Sequence, residues 1–338
     1  MKSGKKMLIA SILALGIISI GTSLGSSGIN IADTVAILWC TVLHIPLPQD
    51  MDPKTITIVW QLRFPRALLA FMVGGCLAIS GAAVQSVLRN QLASPYILGV
   101  SSGASLGAGL IIITGFSLPL TGGFTLPLTG FLFGLATVGV VLVFASKIDK
   151  TMSNNTVILF GMVVSLFVNA LLTTLLSLFR EELKTLLLWM MGSFAMKGWS
   201  YVTLLLPFLV VGAVGIIRYT KEMDILTFGE DAAKSLGVDA QGVRKKLLLY
   251  ATMLTGGAVS LSGAIGFVDL IAPHIARKIV GSNHRYLIPL SFIAGGSLMV
   301  LSDLAARIIV SPAELPVGAV TAIIGAPFFA WVYFRRGK

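Results

Sequence analysis

A chain of 338 residues in which 56% are hydrophobic and only 12% charged cannot cover the surface of a soluble globular domain, where about a quarter of residues are charged. Its mean hydropathy of +0.92 comes in blocks near the ~20 residues that cross a bilayer as a helix, and blocks without alternation exclude a β-barrel. The net charge of +11 sits in short segments between those blocks with no aromatic-interleaved basic stripe, which argues against nucleic acid as a partner and marks the charges as topology signals.

In chain order, Lys5 and Lys6 precede an apolar run from Met7 to Leu24. That order resembles a signal peptide, but the run is long for a cleaved segment and no lipid-attachment cysteine follows, so it reads as a first span. Residues 25–58 are mixed and hold Pro46, Pro48 and Pro53. Nine further spans fall near 59–88, 95–114, 123–146, 154–178, 200–218, 246–265, 271–282, 286–308 and 317–334, by length and apolarity. The eighth is short, and Pro273 with Gly281 predicts a half-length or broken helix sheltered by protein. The expectation is an all-α, polytopic membrane protein of about ten transmembrane helices, in a single domain over residues 1–338. Cys40 and Cys76 lie far apart and read as small apolar packers rather than a disulfide.

Basic residues set the orientation. With the N-terminus inside, eighteen of the 25 Lys and Arg fall on the inner side and seven outside, and an even number of spans returns the basic C-terminus to the inside. The polar segment 219–245 then lies inside. Its GEDAAKSLGV run opens at Gly229 with Glu230 and Asp231 where acids favour a helix start.

Gly99, Gly103 and Gly107 are spaced by four, as are Gly130 and Gly134, a pattern that lets another helix backbone approach closely. The run Gly103-Ala-Ser105-Leu-Gly107 also matches a nucleophile elbow, but it lies within an apolar helix, and His44, His274 and His284 have no evident reason to converge on it. There is no phosphate-binding loop, no H-E-x-x-H and no Cys/His cluster. No catalytic residue, metal site or cofactor is therefore expected, and any ATP hydrolysis belongs to another chain. Asp303 and Arg307 are four apart and read as an intrahelical pair. Asp269 is placed at the outer turn between spans seven and eight, in a capping or turn role. Arg63 and Arg66 enter the second span from outside, one helical turn apart, as boundary residues or as a bidentate grip on a carboxylate of a docking protein.

Four stretches carry a family resemblance. They are RFPRALLAFMVGGCLAISGAAVQSVLRNQLASPYILGVSSGA from Arg63, LTFGEDAAKSLGV from Leu226, GAIGFVDLIAPHIAR from Gly263 and SDLAARIIVSPAELPVGAVTAIIGAPFF from Ser302. In this order they resemble the permeases of iron-chelate and cobalamin uptake, the FecCD-type transmembrane subunits of ATP-binding-cassette (ABC) importers. The resemblance implies two permease subunits, identical or related, around a central pathway, with a cytoplasmic ATPase dimer and an extracytoplasmic solute-binding protein. It implies that the inner 219–245 segment couples to the ATPase through Gly229, Glu230, Ala233, Leu236 and Gly237. It makes Arg63, Arg66 and Arg307 docking residues for the binding protein. It places an inner gate at Asn90 and Leu92 after span two and at Ser153 and Asn154 before span five. Two departures stand out. Family members usually read Asn-Pro-Leu where this chain has Asn90-Gln91-Leu92, which predicts a less rigid gate loop, and most have a small residue at Asp269.

The expected function is import of a ferric siderophore across the cytoplasmic membrane by alternating access, with both termini cytoplasmic. Haem or cobalamin import by the same scaffold is the alternative. A self-sufficient secondary carrier is the rival class, and it would have no need of the 219–245 segment.

Overall fold

The computed structural model describes residues 2–25, 29–47, 51–121, 123–149 and 152–335. Pro48, Lys150, Arg336 and Lys338 lie outside the described residues. Among the described residues the regular structure is helical throughout, without a strand. The helices are α1 (Lys2–Ser23), α2 (Ile31–Val42), α3 (Pro53–Thr57), α4 (Phe64–Val87), α5 (Val100–Thr114), α6 (Thr125–Ile148), α7 (Asn154–Leu178), α8 (Leu183–Met190), α9 (Trp199–Arg218), α10 (Thr220–Leu226), α11 (Glu230–Ser235), α12 (Ala240–Ser262), α13 (Val268–Val280), α14 (His284–Ile308) and α15 (Val317–Arg335). Six helices or continuous helical stretches are long and apolar enough to cross a membrane, and α2, α5 and α15 are shorter apolar ones.

Helix α2 falls in the segment expected to be mixed loop; Asn30 caps it by accepting from the Ala32 N–H. Asp52 starts α3 in the same way, with Pro53 at the first helical position. A π-helical turn over Ile58–Arg63 then feeds directly into α4, so Pro53–Val87 is one continuous rod of 35 residues. The end of the 219–245 segment, from Ala240 onward, already belongs to α12, whose start Asp239 caps by accepting from the Gly242 N–H.

Helix α4 is the spine of the bundle and is buried over almost its whole length. Its glycines explain how so many helices reach it. A Cβ at Gly74 would sit 2.3 Å from the Gly295 carbonyl of α14, and one at Gly81 would sit 1.9 Å from the Asp269 carbonyl of α13. Such backbone contact holds helices together where lipid removes the hydrophobic drive between them. Gly103 and Gly107 perform the same service for α5 against Phe133 and Thr129 of α6. Gly99 departs from the expected pattern: with φ of +87° it stands before α5 as its cap, outside the helix, in a conformation that favours glycine.

Helix α13 is the half-length helix the sequence predicts, but it begins deeper than expected. Gly263 (φ +82°) ends α12, and Phe267 (φ +70°) precedes α13. The non-helical residues between them descend into the bundle. Gly81, which Asp269 packs beneath, is roughly 26 Å along α4 from Phe64 at 1.5 Å per residue. Asp269 is therefore not at an outer turn. It is 1% exposed, and its carboxylate accepts from Ser94 Oγ while its carbonyl accepts from Gln85 Nε2 at 3.2 Å. Its role is closer to the capping alternative: an acid in the first turn of α13 tied to the segment before α5.

Candidate functional site

One end of the bundle gathers Arg63, Arg66 and Arg307 around a cavity of about 430 Å³, also lined by Lys197 and Glu314. The three arginines come together at this end, and each already has partners within the chain. Arg66 holds Asp303 through Nη2 at 2.8 Å and Glu314 through Nη1 at 2.9 Å. Arg307 pairs with Asp303 at 3.2 Å, the intrahelical pair the spacing predicts. It also donates to the Gly21 and Leu24 carbonyls at 2.7 and 3.1 Å. Arg63 donates to the Ser23 carbonyl at 2.5 Å. The end of α1, with its orphan carbonyls, is thus capped by two cations from other helices.

Asp303 is 1% exposed and has two guanidiniums for partners, which is how a charge survives at such depth. Glu314 lies in the connector before α15; the hydrogen bond from Arg66 holds its carboxyl below the ordinary value. Lys197, in the connector before α9, donates to the carbonyls of Ser193 and Leu261, the latter in the last turn of α12. Burial, and then the Arg66 charge, push its ammonium down to about 7. Glu314 and Lys197 were not found from sequence because Arg66, which holds Glu314, and Leu261, which accepts from Lys197, are far along the chain.

At the opposite end, where Lys6 Nζ donates to the Ile279 carbonyl, the two expected gate segments meet. Asn154 Nδ2 donates to the Leu88 carbonyl at 2.9 Å. Asn90 closes its own turn by accepting from Leu92 N–H at 2.9 Å, and Leu92 is 55% exposed. Ser153 caps α7, and its own N–H donates to Asp149 at 2.8 Å. Arg244, buried, donates to the Met152 carbonyl of the same connector.

The 219–245 segment forms the short helices expected of it, α10 and α11. Gly229 (φ +114°) and Gly237 (φ +75°) bracket α11, so both sharp turns use the conformation that glycine adopts at no cost. Ala233 is fully buried and anchors α11, while Leu236 is 67% and Phe228 81% exposed. The backbone of Glu230 starts the helix. Phe228 was not singled out from sequence, yet it is the most exposed apolar group of this segment.

A third feature lies between α5, α7 and the connector before α13. It is a cavity of about 580 Å³ whose wall carries Tyr96, Ser101, Ser102, Ser165 and Asn169. Its wall is otherwise apolar, with Ile97, Met162 and Leu166 beside these few hydroxyl and amide groups.

A helical bundle with six stretches long and apolar enough to cross a membrane, and with the half-length α13 packed among them, has the make-up of a multi-pass membrane protein. Residues 11–335 match the FecCD transport family, and the chain belongs to that family, whose members are permease subunits of ABC importers. It is 43% identical over 97% of its length to the uncharacterised ABC transporter permease protein YvrB of Bacillus subtilis, covering 92% of that protein. It is 38% identical to the cobalamin import permease BtuC of Halobacterium salinarum, covering 86% of this chain and 77% of that one. It is 34% identical to the Fe(3+)-citrate import permease YfmD of Bacillus subtilis, covering 98% and 94%. Among solved structures, an ABC transporter assigned to the metal-chelate type, in an inward-facing conformation, superposes with a TM-score of 0.85 at 31% identity, covering 98% of this chain and 99% of that one.

Proposed function

We propose that this chain is the translocating subunit of an importer for ferric chelates of the siderophore class, driven by ATP hydrolysed on a separate cytoplasmic ATPase dimer. The observation that supports the substrate most directly is full-length similarity to a ferric citrate permease together with a close match to a metal-chelate-type transporter structure. The groove beside α5 and α7 has a mostly apolar wall with a few hydroxyl and amide groups, which suits a bulky organic chelate that presents some polar atoms.

In this reading the Lys6 end faces the cytoplasm, both termini lie on that side of the cytoplasmic membrane, and a second copy or a related permease completes the pathway. The α10–α11 segment docks on the ATPase with Gly229, Glu230, Ala233, Leu236 and Gly237. An extracytoplasmic binding protein docks at the Arg66 end. Asn90, Leu92, Ser153 and Asn154 form the inner gate. Nucleotide-driven closure of the ATPase rocks the helices about the central pathway, the alternating-access mode of such carriers.

Cobalamin is the second reading, favoured by 38% identity to a cobalamin permease. Uptake of labelled ferric hydroxamate and labelled cobalamin in a strain lacking this chain separates them. Loss of only the ferric uptake supports the first reading; loss of only the cobalamin uptake replaces it with the second.

A further inference from the structure

Three helices distant in sequence meet through one histidine. Asp224 of α10 accepts twice at Oδ1, from the His284 backbone N–H at 3.0 Å and from His284 Nδ1 at 2.5 Å. The other ring nitrogen, Nε2, makes a short hydrogen bond with Ser86 Oγ in the last turn of α4. Ser86 in turn donates to the Ala82 carbonyl at 3.0 Å. His284 is 2% exposed and Ser86 7%. An Asp–His–Ser row has the order of a hydrolytic triad, but Ser86 faces inward from a regular helix and is closed to any substrate, so the row is not a nucleophile.

Its position suggests another use. Helix α10 leads directly into α11 and is seated on the bundle by buried Met223 and Leu226 on either side of Asp224. Apolar contacts of that kind let one helix slide over another. The two bonds from His284 to a single carboxylate oxygen fix both the distance and the orientation of α10 relative to the first turn of α14, where the His284 N–H has no partner within its own helix. The imidazole then carries the same constraint to α4, the spine. The bonds are charge-assisted and held on the His284 side by a buried ring, although Asp224 itself is 36% exposed, and such bonds are stiff enough to act as a link.

We propose that Asp224, His284 and Ser86 form a strut that transmits displacement of the α10–α11 segment into α14 and α4 during transport; this rests on reading that segment as the ATPase docking site. These are positioning residues, which touch no substrate. The strut predicts that breaking it separates ATPase attachment from helix movement, which a purely architectural contact would not do.

The test uses the assembled permease–ATPase complex, with Cys40→Ser and Cys76→Ala, and spin labels at Ser282→Cys and Ile148→Cys. These sites are exposed near the inner ends of α14 and α6. In the otherwise unaltered chain, turnover of ATP in the presence of vanadate, which traps the ADP-bound ATPase, shifts the label–label distance. In Asp224→Ala the ATPase still co-purifies, and the shifted population falls about fivefold or more, within the range of coupling energies between sites. Asp224→Asn, whose amide oxygen still accepts from His284, restores most of the shift. His284→Phe, which fills the same space without ring nitrogens, shows the same loss and serves if Asp224→Ala fails to fold. A normal shift in both loss variants overturns the strut. So does loss of ATPase binding and of thermal stability together without rescue by Asp224→Asn, since the tie is then only architectural. Failure of the unaltered chain to hold any ATPase overturns the docking reading, and the strut with it.

Discussion

Arg66 meets Glu314 fork to fork, with both nitrogen–oxygen distances at 2.9 Å, while its other edge grips Asp303. One partner is almost wholly buried and the other 39% exposed, so the guanidinium has a fixed tenant and an exchangeable one. If the binding protein offers a carboxylate here, Glu314 is its competitor. The charge-removing change Glu314→Gln should then strengthen binding-protein association, by up to about fivefold given the ~0.2–1 kcal/mol of exposed pairs. Titration of the binding protein onto permease in nanodiscs checks this. Weaker association would make Glu314 a support of the docking surface rather than a placeholder.

The same geometry ranks the arginines as test sites. Arg66→Glu places a third acid against Asp303 and Glu314, and losing one partner of a buried pair costs about 3–5 kcal/mol. That variant should lose folded protein before it reports on docking. Arg63 caps α1 through the Ser23 carbonyl, a bond to a neutral group whose loss leaves no buried charge behind at that oxygen. Arg63→Glu should lower the melting temperature less than Arg66→Glu does and weaken binding-protein association more at low than at high salt.

Acid should weaken the Arg66–Glu314 tie. The folded-state value of Glu314 lies below its ordinary 4.5, so the carboxylate form is favoured by folding. Its contribution is complete above about pH 4.5 and is lost as pH falls through the folded value. The melting temperatures of the wild type and Glu314→Gln should differ slightly at neutral pH and converge once the pH falls below the lowered folded-state value. A gap that widens on acidification would reverse the sign and remove the argument.

Gly237 stands at φ +75° with open space around its would-be Cβ. Gly237→Trp should insert normally and lose uptake, because the bulk projects where the ATPase would seat, with only about 1–2 kcal/mol of local backbone strain. Unimpaired uptake would take the coupling role away from this turn.

Two glycines form a packing control. Gly81→Ala drives a Cβ into the Asp269 carbonyl, whereas Gly139→Ala meets nothing within 4 Å. Overpacking costs typically ~1–3 kcal/mol, so Gly81→Ala should lower the melting temperature and Gly139→Ala leave it unchanged or slightly higher.

Local rules were readable in the sequence, and distant ones were not. The four-residue spacing of Asp303 and Arg307 predicts their pair, and the GEDAAKSLGV run predicts α11. Arg66 finds Asp303 across 237 positions, and His284 finds Ser86 across 198. No periodicity signals such partners. Apolar length located α4, α6, α7 and α14 well because lipid thickness sets it. It misplaced Asp269 because Gly263 and Phe267 leave the helix by backbone angle rather than by a change in polarity. Helix α2 escaped for a related reason: twelve residues containing Asp33 are too short and too mixed for a span, and its cap at Asn30 was the available clue.

The rod from Pro53 to Val87 has a consequence for how the protein sits in its bilayer. Its 35 residues measure roughly 52 Å, far more than the ~30 Å of hydrocarbon. The stretch from Arg66 to Val87 alone is about 32 Å long at 1.5 Å per residue, so a bilayer fitted to that stretch would leave α3 and the π-helical turn beyond the acyl chains. Trp60 and Phe64 stack at 5.5 Å, and Trp199 joins them at 5.1 Å from Trp60. In that placement the aromatic knot would fall at headgroup height, where indole rings settle by preference. There the knot would work as a waterline, holding the rod against sinking or tipping in bilayers of different thickness.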